Sequence, residues 1–318
     1  MTAPLLEVRD LSIAFGAVQV VDRLSFSIAK GESLGLVGES GCGKSVTSLA
    51  LMGLLPPRGC SVTGSIRLDG QELTALGPDG WRAIRGGRIA MVFQDPMTTL
   101  NPLLSVERHL LEVLRLHKGL EGAKAREAAA HWLDRVGIPD PRSRLAAHPF
   151  ELSGGMRQRV LIAMSLAGEP DLLIADEPTT ALDVTIQAQI LELLADLRQE
   201  LSMSMLFITH DLGVVERVSD RVAVLYAGRL CESAPVTSLL GSPRHPYADG
   251  LLGSVPGFRP RTGRLRSIPG QVPSPSDWPT GCRFHPRCER ASEVCARENP
   301  SPVGEHPALC HHPLGASS

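Results

Sequence analysis

Eight residues restrict this chain more than any others. Gly38-Glu39-Ser40-Gly41-Cys42-Gly43-Lys44-Ser45 satisfies the pattern G-x-x-x-x-G-K-[ST]. The octapeptide follows a short apolar run, Ser33–Val37, and precedes a stretch, Lys44–Leu55, that reads as a helix, so it occupies a strand-to-helix turn. Glycines in such a turn let backbone N–H groups converge on phosphate oxygens, and the helix N-terminus adds a favourable dipole. Lys44 is expected to neutralise nucleotide β- and γ-phosphates, and the Ser45 hydroxyl to ligate Mg²⁺. The nucleotide-contacting stretch runs on to Val46, and Cys42 reads as a bystander in a variable loop position rather than as a reactive thiol.

The rest of the chain supplies the α/β frame that such a turn needs. Two alternating runs, Leu6–Phe15 and Gln19–Ile28, predict paired strands. Further apolar strands are expected at Arg88–Phe93, Leu172–Ala175, Met205–Thr209 and Val222–Tyr226, with a long helix over Val184–Glu200. Strand–helix alternation of this kind implies a mostly parallel sheet. Helical spacing from Val106 to about Gly137 predicts an inserted subdomain between Pro102 and Phe150, or about residues 95–165 with its flanks. Thirteen of the 25 prolines fall in the last 78 residues, so a loop-rich extension should begin near Gly241.

Several function classes are disfavoured at this stage. The first ten residues lack a basic head followed by an apolar run, which argues against a signal peptide. No stretch of 18 apolar residues occurs, so a membrane role would be borrowed from a partner. A net charge of −2 gives no field for phosphate backbones, and nucleic acid is not an expected partner.

Leu172-Leu-Ile-Ala-Asp176-Glu177 is an apolar strand ending in two carboxylates. Asp176 at the strand tip is suited to Mg²⁺, directly or through water. Glu177 is then placed to orient and deprotonate an attacking water.

Leu152-Ser153-Gly154-Gly155-Met156-Arg157-Gln158-Arg159 resembles the signature motif of ABC ATPases. The other markers of that family follow in order: Gln94 resembles the Q-loop glutamine, Ala181-Leu182-Asp183 the D-loop and His210 the switch histidine. Phe15 stands where an aromatic residue stacks on adenine. The resemblance covers residues 5–240. It implies a P-loop NTPase (RecA-like) core with an N-terminal antiparallel β-subdomain and a helical subdomain, followed by a cysteine-containing extension over 241–318. It also implies that ATP and Mg²⁺ are bound, with Ser45, Gln94 and Asp176 around the metal and Glu177, Gln94 and His210 serving hydrolysis. Ser153, Gly154, Gly155, Gln158 and Asp183 would reach the nucleotide of a second cassette. Met156 replaces the more frequent Gln and Phe15 the more frequent Tyr; neither change removes a catalytic group.

Gln94-Asp-Pro-Met-Thr-Thr-Leu-Asn-Pro102, His245-Pro246-Tyr247 and Gly281-Cys-Arg-Phe-His-Pro-Arg-Cys288 resemble the oligopeptide/dipeptide importer branch. That resemblance implies a second, paralogous ATPase, two membrane permease subunits and an extracytoplasmic solute-binding protein as partners. The expected location is peripheral, on the cytoplasmic face of the inner membrane. Relatives in the branch also carry nickel, glutathione or sugars, and a non-transport ABC ATPase is the more distant alternative.

Cys282, Cys288, Cys295 and Cys310 are separated by five, six and fourteen residues. Four thiolates suit a [4Fe–4S] cluster or tetrahedral Zn²⁺. The C-x-x-C knuckles usual for zinc are missing, and relatives with this tail are associated with the cluster. Unligated thiols are a third reading, and His285, His306, His311 or His312 could replace one cysteine ligand.

Overall fold

The computed structural model describes residues 3–180, 182–255, 267–303 and 306–315. Ala181, the first residue of the D-loop assignment, lies outside the described residues. The chain divides into two units, Met1–Ala75 with Phe207–Ser318, and Leu76–Leu206.

The first unit opens with β1 (Leu6–Phe15), β2 (Val18–Ile28), β3 (Ser33–Val37), α1 (Lys44–Leu51), β4 (Cys60–Leu68) and β5 (Gln71–Glu72). Leu6, Val8, Leu11 and Ile13 alternate with polar residues and are buried, which makes β1 a half-buried strand. The alternation slips at Arg9–Asp10, where the register shifts and Asp10 takes a φ of 48°. The antiparallel sheet has the order β2-β1-β4-β5. Its third strand, β4, has no counterpart in the sequence reading. Gly64 interrupts the alternation there, and a Cβ at that position would stand 2.6 Å from the Arg9 carbonyl oxygen. Helix α1 stops at Leu51 rather than Leu55, because Gly53 turns the chain with a φ of 59°.

The second unit contains β6 (Ile89–Val92), α2 (Val106–Lys118), α3 (Gly122–Arg135), α4 (Gly154–Leu166), β7 (Leu172–Asp176) and α5 (Val184–Glu200). Strands β6 and β7 pair in parallel, and every residue of both is buried, hence their unbroken apolar runs. Val106, Leu110 and Leu114 line the buried face of α2, and Ala125, Ala129, Trp132 and Leu133 that of α3. Ser105 caps α2 by accepting from Arg108 N–H, and Gly119 ends it in the left-handed conformation.

The chain returns to the first unit along β8 (Ser204–Thr209), then forms α6 (Leu212–Val218), β9 (Arg221–Tyr226), β10 (Arg229–Pro235), α7 (Pro246–Ser254), β11 (Pro302–Val303) and β12 (Ala308–Leu309). Strand β9 runs parallel to β3 and antiparallel to β10, in the order β11-β12-β10-β9-β3. The tail therefore extends this sheet. A core of Val37, Val224, Tyr226, Tyr247, Leu251 and Phe284 joins β3 and β9 to the tail. Tyr226 and Tyr247 stack edge-on at 4.6 Å, and burying each such ring contributes roughly 2–3 kcal/mol.

Three carboxylates tie the tail to the rest of the unit. Asp22 on β2 receives Arg229 at 2.6 Å and Arg283 at 2.5 Å, and Arg283 lies 3.4 Å over the Trp278 ring. Glu39 receives Arg287 at 2.8 Å. Glu232 on β10, wholly buried, accepts from the backbone N–H groups of Arg244 and His245 and pairs with His306 at 2.6 Å. A buried carboxylate persists when charges and donors surround it in this way.

Candidate nucleotide site

In the first unit, buried β3 leads straight into the Gly38–Ser45 turn, whose shape is set by backbone crowding. A Cβ on Gly38 would lie 2.1 Å from the Leu225 carbonyl oxygen, so only glycine fits. Gly41 and Gly43 take φ values of 81° and 105°. Lys44 is buried and folds back over the turn, its Nζ donating to Gly38 O at 2.7 Å and Glu39 O at 3.1 Å. An ammonium group held among loop carbonyls is suited to receive phosphate oxygens.

Ser45, the second residue of α1, is exposed and Val46 half-buried, while Ser40 and Gly41 form the exposed rim. Cys42 is wholly enclosed, and burial pushes its thiol up although Lys44 opposes the shift. It therefore stays a protonated packing residue. Phe15 ends β1, half-buried, and His210 follows β8 in an exposed position. Asp211 beside it accepts from Gly213 N–H at 2.8 Å and caps α6.

The second unit assembles the other predicted residues. Asp176 ends β7 and is buried, and Glu177 follows with a φ of 47°, a conformation rare for a residue with a side chain. Gln94 Nε2 donates to Glu177 Oε2 at 3.0 Å, and Thr180 Oγ1 donates to the same oxygen at 3.0 Å. Thr180 is a member of this cluster that the sequence reading missed; its only signal is the three-residue spacing from Glu177.

Ser153 caps α4, accepting from Met156 N–H, and leaves Gly154 and Gly155 on the first helical turn. A Cβ on Gly155 would meet Ile186 Cγ2 at 2.9 Å. Glycine thus lets the start of α4 approach the start of α5, which Asp183 caps by accepting from Ile186 N–H at 2.9 Å. Ser153, Gly154 and Asp183 are exposed, whereas Gln158 is buried. The first-turn N–H groups of α4 that the Ser153 cap does not take up are suited to an incoming anion.

All seven cysteines are free thiols. Among the described residues, no group of three or more His, Cys, Asp or Glu side chains is arranged to hold a metal ion, so the four cysteines do not form a ready-made site for either the [4Fe–4S] cluster or the Zn²⁺ of the sequence reading. Cys282, Cys288, Cys295 and Cys310 nevertheless lie near enough for each charge to raise the Cys310 thiol, whose burial and neighbours push it to about 11. Hydrogen bonds converge on the sulfurs. Cys310 Sγ accepts from His312 N–H at 3.3 Å, and Cys295 Sγ lies 3.6 Å from Ser292 Oγ. The alternative ligand histidines are engaged elsewhere, His306 with Glu232, His285 with Cys282 O, His311 with Glu298 O and His312 with Ser292.

Arg287 and Tyr247 entered the sequence reading only as branch markers, yet both touch the phosphate-binding turn through Glu39. No local signal connects Glu39 with residues more than 200 positions away.

The family model described as "ABC transporter" matches residues 21–180, and that for the C-terminal region of oligopeptide/dipeptide transporters matches residues 231–295. A chain of Brucella abortus (strain 2308) assigned as a peptide import ATP-binding protein is 52% identical over 303 residues, 94% of this chain and 91% of that one. The dipeptide transport ATP-binding protein DppD of Escherichia coli (strain K12) is 45% identical over 317 residues, covering 98% and 97%. The oligopeptide transport ATP-binding protein AppD of Bacillus subtilis (strain 168) is 48% identical over 302 residues, covering 93% and 92%. Among solved structures, an ATP-binding cassette in a dimeric post-hydrolysis state with ADP and Pi gives a TM-score of 0.65 at 26% identity, over 73% of this chain and 98% of that chain.

Proposed function

The chain belongs to the ATP-binding subunits of ABC transporters, and from that premise we propose that it drives the import of di- or oligopeptides. The observation that carries the cargo assignment is the near full-length match to dipeptide and oligopeptide transport subunits, joined to the match of residues 231–295.

Hydrolysis follows from the chemistry of the residues. The Gly38–Ser45 turn and Lys44 bind the triphosphate, with Phe15 against the base. The Glu177 carboxylate orients the attacking water and takes its proton, and its tethering by Gln94 and Thr180 removes the entropic cost of finding one rotamer. His210 steadies the γ-phosphate. Ser45 of the first unit and Gln94 and Asp176 of the second carry hydroxyl, amide and carboxylate oxygens, the hard donors that Mg²⁺ takes; these residues would hold the ion, which when bound would supply charge neutralisation to the phosphoryl group. Ser153, Gly154, Gly155 and Asp183 would serve the nucleotide bound by a second ATPase chain, from a helix tip beside Val184, which is 82% exposed; Gln158, expected in that set, is only 1% exposed and would support the helix from within instead.

In this reading residues 1–240 form the ATP-binding cassette, with its helical subdomain at about 95–165, and 241–318 form the branch-specific extension. Two permease subunits would receive the segment after Gln94, where Leu103 is 84% exposed, and a solute-binding protein would deliver the cargo. No helix among the described residues is long and apolar enough to cross a membrane, so attachment to the cytoplasmic face rests on those permeases. A [4Fe–4S] cluster held by Cys282, Cys288, Cys295 and Cys310 would cross-link a proline-rich tail. The support for this reading is the mutual proximity of the four thiols and the hydrogen bond that the Cys310 sulfur accepts, together with the cysteine spacing; these leave tetrahedral Zn²⁺ as the alternative.

The test is reconstitution in liposomes with the two permeases, the companion ATPase and the binding protein. Peptide-loaded binding protein should stimulate ATP hydrolysis and peptide uptake. Stimulation by nickel, glutathione or sugar in place of peptide would overturn the cargo. Iron and acid-labile sulfide in anaerobically purified protein test the cluster, and their absence rules it out.

A further inference from the structure

Glu39, the second residue of the phosphate-binding turn, puts a negative charge into a loop that receives a polyanion. It is held by the tail at both its side chain and its backbone. Arg287 grips the carboxylate as a fork, NH1 to Oε2 at 2.8 Å and NH2 to Oε1 at 3.1 Å. The rest of that guanidinium is fully employed: Nε donates to Pro269 O at 2.7 Å, NH2 to Gly270 O and NH1 to the Tyr226 hydroxyl at 3.3 Å. The Glu39 N–H donates to the Tyr247 hydroxyl at 2.9 Å, and the Glu39 carbonyl accepts from Lys44 Nζ at 3.1 Å. Arg287, Tyr247 and Tyr226 are all buried.

A continuous path thus runs from the tail to the residue expected to grip phosphate: Arg287, Glu39, Lys44. Planar bidentate pairing fixes direction as well as charge, which a lysine at position 287 would not reproduce. We infer that Arg287, together with Tyr247, is a positioning residue of the nucleotide site, neutralising Glu39 and holding the phosphate-binding turn in its receptive shape. The tail is then part of the nucleotide site rather than an appendage to it. Because Arg287 directly precedes Cys288, whatever holds that cysteine also holds the fork. The inference rests on the ATPase reading above and deepens it.

Full-length protein is titrated with a fluorescent ATP analogue and Mg²⁺, with Lys44→Ala as the non-binding control. Arg287→Met should raise Kd by about tenfold or more, because the Glu39 charge is left unpaired in the loop. Adding Glu39→Gln to that variant should recover most of the loss. A purely structural arginine would show no such rescue. Unchanged binding by folded Arg287→Met, or no recovery in the double variant, overturns the inference. If Arg287→Met does not fold, Arg287→Lys is read instead: a several-fold rise in Kd supports the inference and an unchanged Kd overturns it. Wild-type protein that binds no better than Lys44→Ala would instead overturn the ATPase reading itself.

Discussion

Gln94 and Glu177, 83 residues apart, meet through a 3.0 Å hydrogen bond from the glutamine amide to the carboxylate, with Thr180 donating to the same oxygen. The carboxylate is held by two donors on one oxygen, which fixes the direction in which it faces, as the positioning of a general base requires. Glu177→Gln keeps the shape and removes the basicity. It should leave ATP binding intact and lower turnover by about 10²-fold or more. Near-normal steady-state turnover in that variant would falsify the assignment of the base.

Glycine substitutions separate crowding from backbone strain in the phosphate-binding turn. An added methyl at Gly38 collides with the Leu225 carbonyl at 2.1 Å, whereas one at Gly41 meets nothing within 4 Å and suffers only its φ of 81°. Gly41→Ala should therefore cost about 1–2 kcal/mol of stability and retain nucleotide binding. Gly38→Ala should abolish binding, because the backbone itself must move. Thermal melts and nucleotide titrations on the two variants check this order.

Asp22 is the counter-ion for Arg229 and for buried Arg283. Burial alone would raise its carboxyl, but the hydrogen bond and charge of Arg229, with Arg283, bring it below the usual carboxylate value. Asp22→Asn leaves a buried guanidinium uncompensated and should cost about 3–5 kcal/mol. The depressed value means the pair stabilises the fold at neutral pH and loses that contribution only as pH falls below about 3.8. Equilibrium denaturation at pH 7 and pH 3 should show the mutational cost shrinking at the acid end. An equal cost at both values contradicts the pairing.

What the sequence made legible was contiguous. The phosphate-binding turn could be read because its geometry is dictated by glycines within eight residues, and the strands at Leu172 and Ser33 because complete burial leaves unbroken apolar runs. The strand Cys60–Leu68 was hidden by Gly64, which breaks alternation to let β4 approach the Arg9 carbonyl. Strand β10 was hidden by Glu232, a charge in a buried strand that makes sense only once Arg244, His245 and His306 surround it. The tail could be seen as unusual but not as anchored. Its anchors are pairs such as Asp22–Arg283 and Glu39–Arg287, separated by 261 and 248 positions, which no local pattern encodes.

His245 should dominate the acid sensitivity of the tail. Its ring is fully enclosed, Nδ1 accepts from Tyr247 N–H at 3.0 Å, and the ring is also bonded to the Leu309 backbone. Burial lowers it from 6.5 to about 4, against a smaller opposing effect of the Leu309 bond. A base whose folded value is depressed takes up its proton more readily when unfolded. Stability is therefore full above about pH 6.5 and declines as pH falls towards 4, where the curve flattens again. Protonation would also place a hydrogen on Nδ1 facing the Tyr247 N–H, two donors with no acceptor between them. The same tyrosine holds the Glu39 N–H, so acid loosening of this corner should reach the phosphate-binding turn. His245→Asn retains a small acceptor without the titration, and its melting temperature between pH 7 and pH 4 should fall less than that of the wild type. Parallel acid limbs in the two proteins would remove His245 as the cause.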